Sequence, residues 1–436
     1  MFFHRLQNYL SHRFLRESML LQVGSMGAMF VQAIAGVLLA RILGPHEFGR
    51  LAIVMSLAAV GSVFLGAGAA DAMAPVLSRA RHSGNDGDVH DSFLFLGKFV
   101  TATALLVAML GFLLPSIARY FYGDALLGWL AFVVLLASAV STLIFVPTQL
   151  GLQVSGSIRK LSMLTFTDQA SRQLLVLFFV FSGFGIAGAV AGHFIGALFV
   201  AGGAIFFWRR LRSAWGALPS VAQLWTKPSY RIQHYIRPTL WVLADRNLAM
   251  LYGAAPIAIA GLYLTTTDVS YFKIALGWVT LALSVLSPIS ILLNTELARI
   301  QLQTPQSLRN RFVQISFIAV VASTLLTLVA GMLARPLFGI LYGGAYNGAS
   351  ALVYWFLPFG AVMGLGIALG PMWRALNRVK ISIAINLSVL AVCTPLALVA
   401  LQRWGSLGAI AMVTAWYALS HLVSFIYLAK VLRSPK

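Results

Sequence analysis

The sequence predicts an all-α polytopic membrane protein, with twelve transmembrane helices in two parallel six-helix repeats around a central cavity. Three observations carry that prediction. The 436-residue chain is 60% hydrophobic and only 10% charged, with a mean hydropathy of +0.87, a balance outside that of soluble domains. Its basic residues gather in alternate loops, and its two halves repeat one another at a nearly constant offset.

Crossing a hydrocarbon core of about 30 Å takes about 20 apolar residues in a helix. Such runs fall at 19–42, 51–73, 95–118, 126–149, 161–183, 185–208, 239–264, 269–293, 312–334, 348–372, 381–402 and 406–429. The first lacks a small-residue cleavage site and reads as a retained helix rather than a signal peptide. Gly24, Ala28 and Gly36 in span one, and Gly188, Gly192 and Gly196 in span six, place small residues at helical spacing, a signal for close helix approach. The longest connection, RRLRSAWGALPSVAQLWTKPSYRIQHYIRP (209–238), is basic and carries two Trp and three Pro. It reads as an interfacial amphipathic stretch, with residues 1–18 as its counterpart. The chain therefore divides into an N-terminal six-helix bundle (1–208), a basic linker (209–238) and a C-terminal six-helix bundle (239–436).

A net charge of +20 would suggest nucleic acid in a soluble protein, but the position of the charges decides otherwise. With the N-terminus inside, 23 of the 31 Lys and Arg fall in cytoplasmic segments, 5 on the other face and 3 within spans. That bias places both termini in the cytoplasm and suits an anionic leaflet. Cys393 is the single cysteine, which excludes an internal disulfide framework. No cluster has metal-ligand spacing, no glycine-rich loop fits a nucleotide, and the short external loops lack carboxylate or His constellations for glycosyl transfer. The chain reads as a non-enzyme without metal or cofactor.

The repeat is seen in short matches. LGPHEFGRLAI (43–53) precedes LTTTDVSYFKI (264–274) by 221 residues, and four further matches share an offset of 220. These are LSR (77–79) with LAR (297–299), YGDALLG (122–128) with YGGAYNG (342–348), KLS (160–162) with KIS (380–382), and GIAGAVA (185–191) with GSLGAIA (405–411). Six spans per repeat, an even number, make the repeats parallel, an arrangement that places a site between halves that rock around it.

Charges at bilayer depth cost about 2.5–3.5 kcal/mol each on insertion scales, so they face protein or water. In span five Ser162, Thr165, Asp168, Gln169, Arg172 and Gln173 share an arc of roughly 140° on a helical wheel. This polar face is confined to the cytoplasmic half, as a cavity open to the cytoplasm requires. A self-neutralising i,i+4 pair that locks packing fits the same spacing. Asp245 and Arg246 in span seven point about 100° apart and need other partners; Asp245 with Arg172, or Arg246 with Asp168, would join the two halves. Lys273 in span eight reads as a site or as a snorkelling lysine, and His193 in span six as a packing histidine or a proton carrier. Asp71 and Glu296 lie near cytoplasmic span ends and rank low.

ARILGPHEFGRLAI, DRNLAMLYGAAPIAIAGLYLTTTDVSYFKIAL, ARPLFGILYGGAYNGA and ALNRVKISIAINL followed by GSLGAIA together resemble the O-antigen-type polysaccharide flippases. These belong to the multidrug/oligosaccharidyl-lipid/polysaccharide (MOP) exporter superfamily. The resemblance implies two bundles around a cavity that move a polyprenyl-diphosphate-linked oligosaccharide from the cytoplasmic to the external leaflet of the bacterial inner membrane by alternating access. It implies membrane lipids around the chain, and a polysaccharide polymerase and chain-length regulator as partners. Arg172, Arg246, Lys273 and Arg41 would meet the substrate, while Asp168, Asp245 and His193 would couple ions or gate. Span one lacks the basic triad expected of a lipid II flippase, which favours a capsule, exopolysaccharide or O-unit carrier. Two rivals are a multidrug or organic-cation antiporter of the same superfamily and a membrane-embedded polysaccharide polymerase or ligase. The last needs a large external loop, whereas the longest loop here is cytoplasmic.

Overall fold

The computed structural model describes residues 13–287, 289–290, 293, 305–376 and 378–433. Glu296 and Arg299 lie outside them. The described residues are helical and contain no strand, as an apolar chain that must satisfy its own backbone in lipid requires. Seven helices are long and apolar enough to cross a membrane, or eight when the pair Gly344–Trp355 and Leu357–Ala375, bent by 57°, counts as one span. Three exceed one crossing: Met26–Phe64, Ile158–Ala214 and Val379–Val431 have 39, 57 and 53 residues. Each is broken by glycine, at Gly44, at Gly183 and Gly185, and at Gly405. Ile232–Ala260, which carries Asp245 and Arg246, supplies a further helix.

In chain order the helices are α1 (Arg13–Gly61), α2 (Ala69–His82), α3 (Asp86–Gly111), α4 (Leu114–Tyr122), α5 (Ala125–Val154), α6 (Ile158–Phe179), α7 (Gly185–Ala214) and α8 (Val221–Thr226). There follow α9 (Ile232–Ala260), α10 (Thr266–Leu283), α11 (Pro305–Leu341), α12 (Asn347–Trp355), α13 (Leu357–Ala375) and α14 (Val379–Val431). The chain forms two compact units, one of residues to Ile42 and Leu57–Asn247, the other of Leu43–Ser56 and Leu248 onward. Helix α9 is thus shared, and the basic linker belongs to the first unit.

In the first unit α7 packs along α5 and α6, and small residues set the distance. A Cβ on Gly192 would meet the Val176 backbone at 2.6 Å, and one on Gly196 would meet Arg172 Cα at 2.9 Å. Gly188 similarly faces the Phe179 backbone. In the second unit α13 packs on α11, where a Cβ on Gly364 would meet Val320 Cα at 2.6 Å. Large apolar side chains such as Phe178, Phe199, Phe317 and Leu396 are exposed, as lipid-facing residues are.

The structure corrects the second expected span. Residues 51–73 are not one helix: α1 ends at Gly61, two 3₁₀ turns follow at Ser62–Phe64 and Gly66–Gly68, Leu65 between them is extended, and α2 starts at Ala69. Glycine at three positions in this stretch weakens the helix and permits close packing, since a Cβ on Gly66 would crowd Thr103 and Phe99. The released backbone groups find partners. Thr103 Oγ1 accepts from Gly66 N at 3.0 Å, and the Asn247 side chain donates to the Val63 carbonyl.

The linker is ordered too. Ser220 and Gln223 form a reciprocal capping box on α8, as the S-x-x-Q spacing allows. The chain entering α9 is fastened to the acidic start of α3. Asp91 Oδ1 accepts from Tyr230 N at 2.7 Å, Arg231 pairs with Asp88 at 2.7 Å, and Ser92 donates to the Tyr235 hydroxyl at 3.3 Å.

Candidate functional site in the first unit

Asp168 and Arg172 of α6 pair with one another. Arg172 Nε lies 2.7 Å from Asp168 Oδ1, and Arg172 Nη2 donates to Ser141 Oγ of α5 at 2.9 Å. Their side chains are 22% and 17% exposed. The close passage of Gly196 fixes the Arg172 backbone. His193, one turn before Gly196 on α7, lies within the field of Arg172. Higher on the same polar face Gly24 of α1 abuts Ser162. Of the arc read from the wheel, Gln169 is exposed and the other five residues are part-buried.

Arg246 does not pair with Asp168. Its partner is Asp71, with Arg246 Nη1 2.5 Å from Asp71 Oδ2. Both residues belong to the first compact unit, although Asp71 lies in the first sequence repeat and Arg246 in the second. Its place near the cytoplasmic end of span two makes Asp71 a weak candidate by sequence, and its partner stands 175 residues away, beyond any periodicity signal. The sequence clue to it was the acid directly after the glycine-rich LGAGAA, in the first turn of the helix that restarts there. An acid at that point is favoured by the partial positive charge of the helix N-terminus. Gly68 makes room, since its Cβ would lie 3.3 Å from Arg246 Cδ.

Depth and exposure give this pair its chemical character. Asp71 stands about 16 Å from the C-terminal end of α2, and Arg246 about 21 Å from the start of α9, at ~1.5 Å per residue. These ends carry the basic loops. Asp168 and Arg172 lie at about 15 and 21 Å from the start of α6 by the same measure. The Arg246 and Asp71 side chains are 44% and 53% exposed. Charged groups that exposed at such a depth need water around them rather than hydrocarbon, and broken backbone at such depth occurs where it is buried in protein or lines a wet cavity. A solvated Arg–Asp pair is held weakly, and its guanidinium is available to a phosphate oxygen.

The remaining predicted residues are dispersed. Asp245 is exposed beside Arg246 on α9, and Arg41 is exposed shortly before the Gly44 break. Lys273 lies in the second unit, where it lines a cavity of about 330 Å³ with Tyr252, Thr280, Phe359, Met363 and Tyr417. It has no carboxylate within ion-pair distance among the described residues. Among them, also, no group of three His, Cys, Asp or Glu could hold a metal ion.

Helical spans broken at glycine and charges set within them define a multi-pass membrane protein, and its fold is that of known transporters. An inward-facing multidrug resistance MATE family transporter of the MOP superfamily is similar with a TM-score of 0.75 at 13% identity, over 93% of this chain and 95% of that one. The lipid II flippase MurJ in an inward closed conformation is similar at 0.68 and 15%, over 95% and 88%. The eukaryotic MATE transporter AtDTX14 is similar at 0.67 and 15%, over 96% and 99%. No curated protein sequence matches. The family model described as "Polysaccharide biosynthesis protein" matches residues 38–351, and the chain belongs to that family.

Proposed function

We propose that the protein is a flippase that moves polyprenyl-diphosphate-linked oligosaccharide units to the external leaflet for polysaccharide assembly. The observation that carries this reading is the Asp71–Arg246 pair, half exposed beside the broken α1–α2 segment and about 16 and 21 Å along its helices from the ends that carry basic loops, at ~1.5 Å per residue. Family membership and a fold like that of a lipid II flippase support it.

The physical task is to carry a charged, hydroxyl-rich headgroup through hydrocarbon, where each unpaired polar group costs several kcal/mol. Asp71 neutralises Arg246. An arriving diphosphate offers a second acceptor to the guanidinium fork, and Arg suits phosphate through its fixed donor geometry. Because Asp71 competes for the same donors, the headgroup is not held too tightly to leave. Arg172 is committed to Asp168 and Ser141 and is the less available of the two arginines. Lys273 is a second cationic contact, in the cavity of the other unit. Two negative charges moving outward run with an inside-negative potential, worth about 4.6 kcal/mol at ~100 mV. The site lies in the bacterial cytoplasmic membrane with both termini inside, and the exported unit passes to a polymerase and its chain-length regulator.

The test is reconstitution. Proteoliposomes loaded with a polyprenyl-diphosphate oligosaccharide should show protein-dependent exposure of the sugar, faster with an inside-negative potential. No protein-dependent exposure would end the reading. The MATE-like fold supports one alternative, a multidrug antiporter, and export of organic cations without movement of the lipid-linked sugar would favour it.

A further inference from the structure

A second basic pocket lies where α7 ends and the linker begins. Helix α7 runs for 30 residues, about 45 Å at ~1.5 Å per residue, against a hydrocarbon core of about 30 Å. Its last two turns therefore stand in the headgroup layer. There Arg209, Arg212, Ser213 and Gly216 line a pocket of about 440 Å³.

Basic residues in the last turns of a helix commonly cap its final carbonyls, and these two do not. Arg212 Nε donates beyond the helix, to the Leu218 carbonyl at 3.3 Å, which leaves its terminal amino groups for another partner. Arg209 has no hydrogen bond or carboxylate partner among the described residues, and both arginines are exposed. Asp88 and Asp91, the acids that fasten the linker, are engaged by Arg231 and by Tyr230 N. The pocket is held in shape from below. Trp208 is fully buried and donates Nε1–H to the Pro219 carbonyl at 3.1 Å, while Arg81 lies 4.9 Å over the Trp215 ring. Phe206, three residues before Arg209 on α7, is 52% exposed and carries the Arg210 guanidinium 4.6 Å over its ring.

We propose that this pocket binds the phosphate headgroup of an acidic glycerophospholipid of the surrounding membrane. Two uncompensated guanidiniums at headgroup depth complement an anionic phosphodiester. The bound lipid anchors the α7–α8 corner to the leaflet that carries the acidic lipid. It is distinct from the transported substrate, whose proposed contact, Arg246, lies deep in α9.

The full-length protein in non-ionic detergent is titrated with phosphatidylglycerol and, separately, with phosphatidylcholine, and bound lipid is counted by native mass spectrometry. Phosphatidylglycerol should bind in preference, and Arg209→Gln combined with Arg212→Gln should weaken it about 30-fold, on the basis of about 5-fold for each basic residue near an acidic surface. Gly216→Asp, whose Cβ meets nothing within 4 Å, should act alike without disturbing packing. The pair Arg119→Gln and Arg335→Gln, outside the pocket, should leave binding unchanged. Equal binding of the two lipids, or unchanged binding in both pocket variants, overturns the proposal. So does displacement of phosphatidylglycerol by excess inorganic phosphate, which would make the ligand a soluble anion. A failure of flipping in proteoliposomes leaves this result untouched.

Discussion

Gly185 and Gly405 share one backbone conformation, φ 54 and ψ −139 in the first and φ 53 and ψ −127 in the second. Gly123 and Gly343 likewise both have positive φ, at 70° and 85°. These are the glycines of the GIAGAVA/GSLGAIA and YGDALLG/YGGAYNG matches, so the 220-residue offset of the sequence reappears in the chain's turns. The region near φ +54, ψ −139 excludes a Cβ at low cost, so glycine is needed where one span hands over to the next. Even the 3₁₀ turn at Ser62–Phe64 has a counterpart at Ser284–Leu286. The interiors of the two halves differ. Among the described residues the first unit holds three Asp–Arg pairs, Arg172–Asp168, Arg246–Asp71 and, at the linker, Arg231–Asp88, whereas the second has Lys273 in a largely aromatic and aliphatic cavity. Geometry that breaks helices is common to both repeats, and the Asp–Arg pairs lie in one compact unit.

The largest effect that would break or sharpen this contrast is on transport. Arg246→Ala should slow lipid-linked oligosaccharide exposure in proteoliposomes by about 10- to 100-fold, the range of a lost charge-assisted hydrogen bond. Lys273→Ala should slow it less, and an equal loss would put the second unit on the same footing. A charge swap, Asp71→Arg with Arg246→Asp, should restore packing but not rate.

Next come the glycines. Gly185→Ala and Gly405→Ala should each destabilise the protein by about 1–3 kcal/mol through backbone strain, read as matching drops in thermal midpoint. Clearly unequal drops would show that the shared conformation is tolerated differently in the two halves. Gly192→Ala and Gly364→Ala test packing instead. Each forces a Cβ to 2.6 Å from a neighbouring helix backbone and should cost about 1–3 kcal/mol by overpacking, with transport lost only as folded protein is lost.

The smallest effect separates the two ion pairs. Asp168→Asn leaves a mostly buried Arg172 short of its counter-charge and should lower stability by about 1–2 kcal/mol. Asp71→Asn removes a solvated partner and should change stability by less than about 1 kcal/mol while altering the rate of flipping. If Asp71→Asn proves the more destabilising, the exposed pair is a structural tie.

What could be read without coordinates follows one physical rule. A chain in lipid satisfies its backbone within helices, so long apolar runs mark them, and a helical period puts Asp168 and Arg172 on one face because their pairing spans four residues. The basic bias and the offset matches are likewise written along the chain. Residue 71 meeting residue 246 is not, because it depends on where α9 lies against a helix that stops at Gly61 and restarts at Ala69. Nor was the interruption of span two visible, since Ala and Leu keep hydropathy high across a stretch whose glycines weaken the helix. Sequence alone thus determined the class of fold, the repeat and the local ion pair, each set by interactions a few residues apart or by transfer from water to lipid. The tertiary structure decided which arginine stays solvated, because exposure depends on which helices cover it.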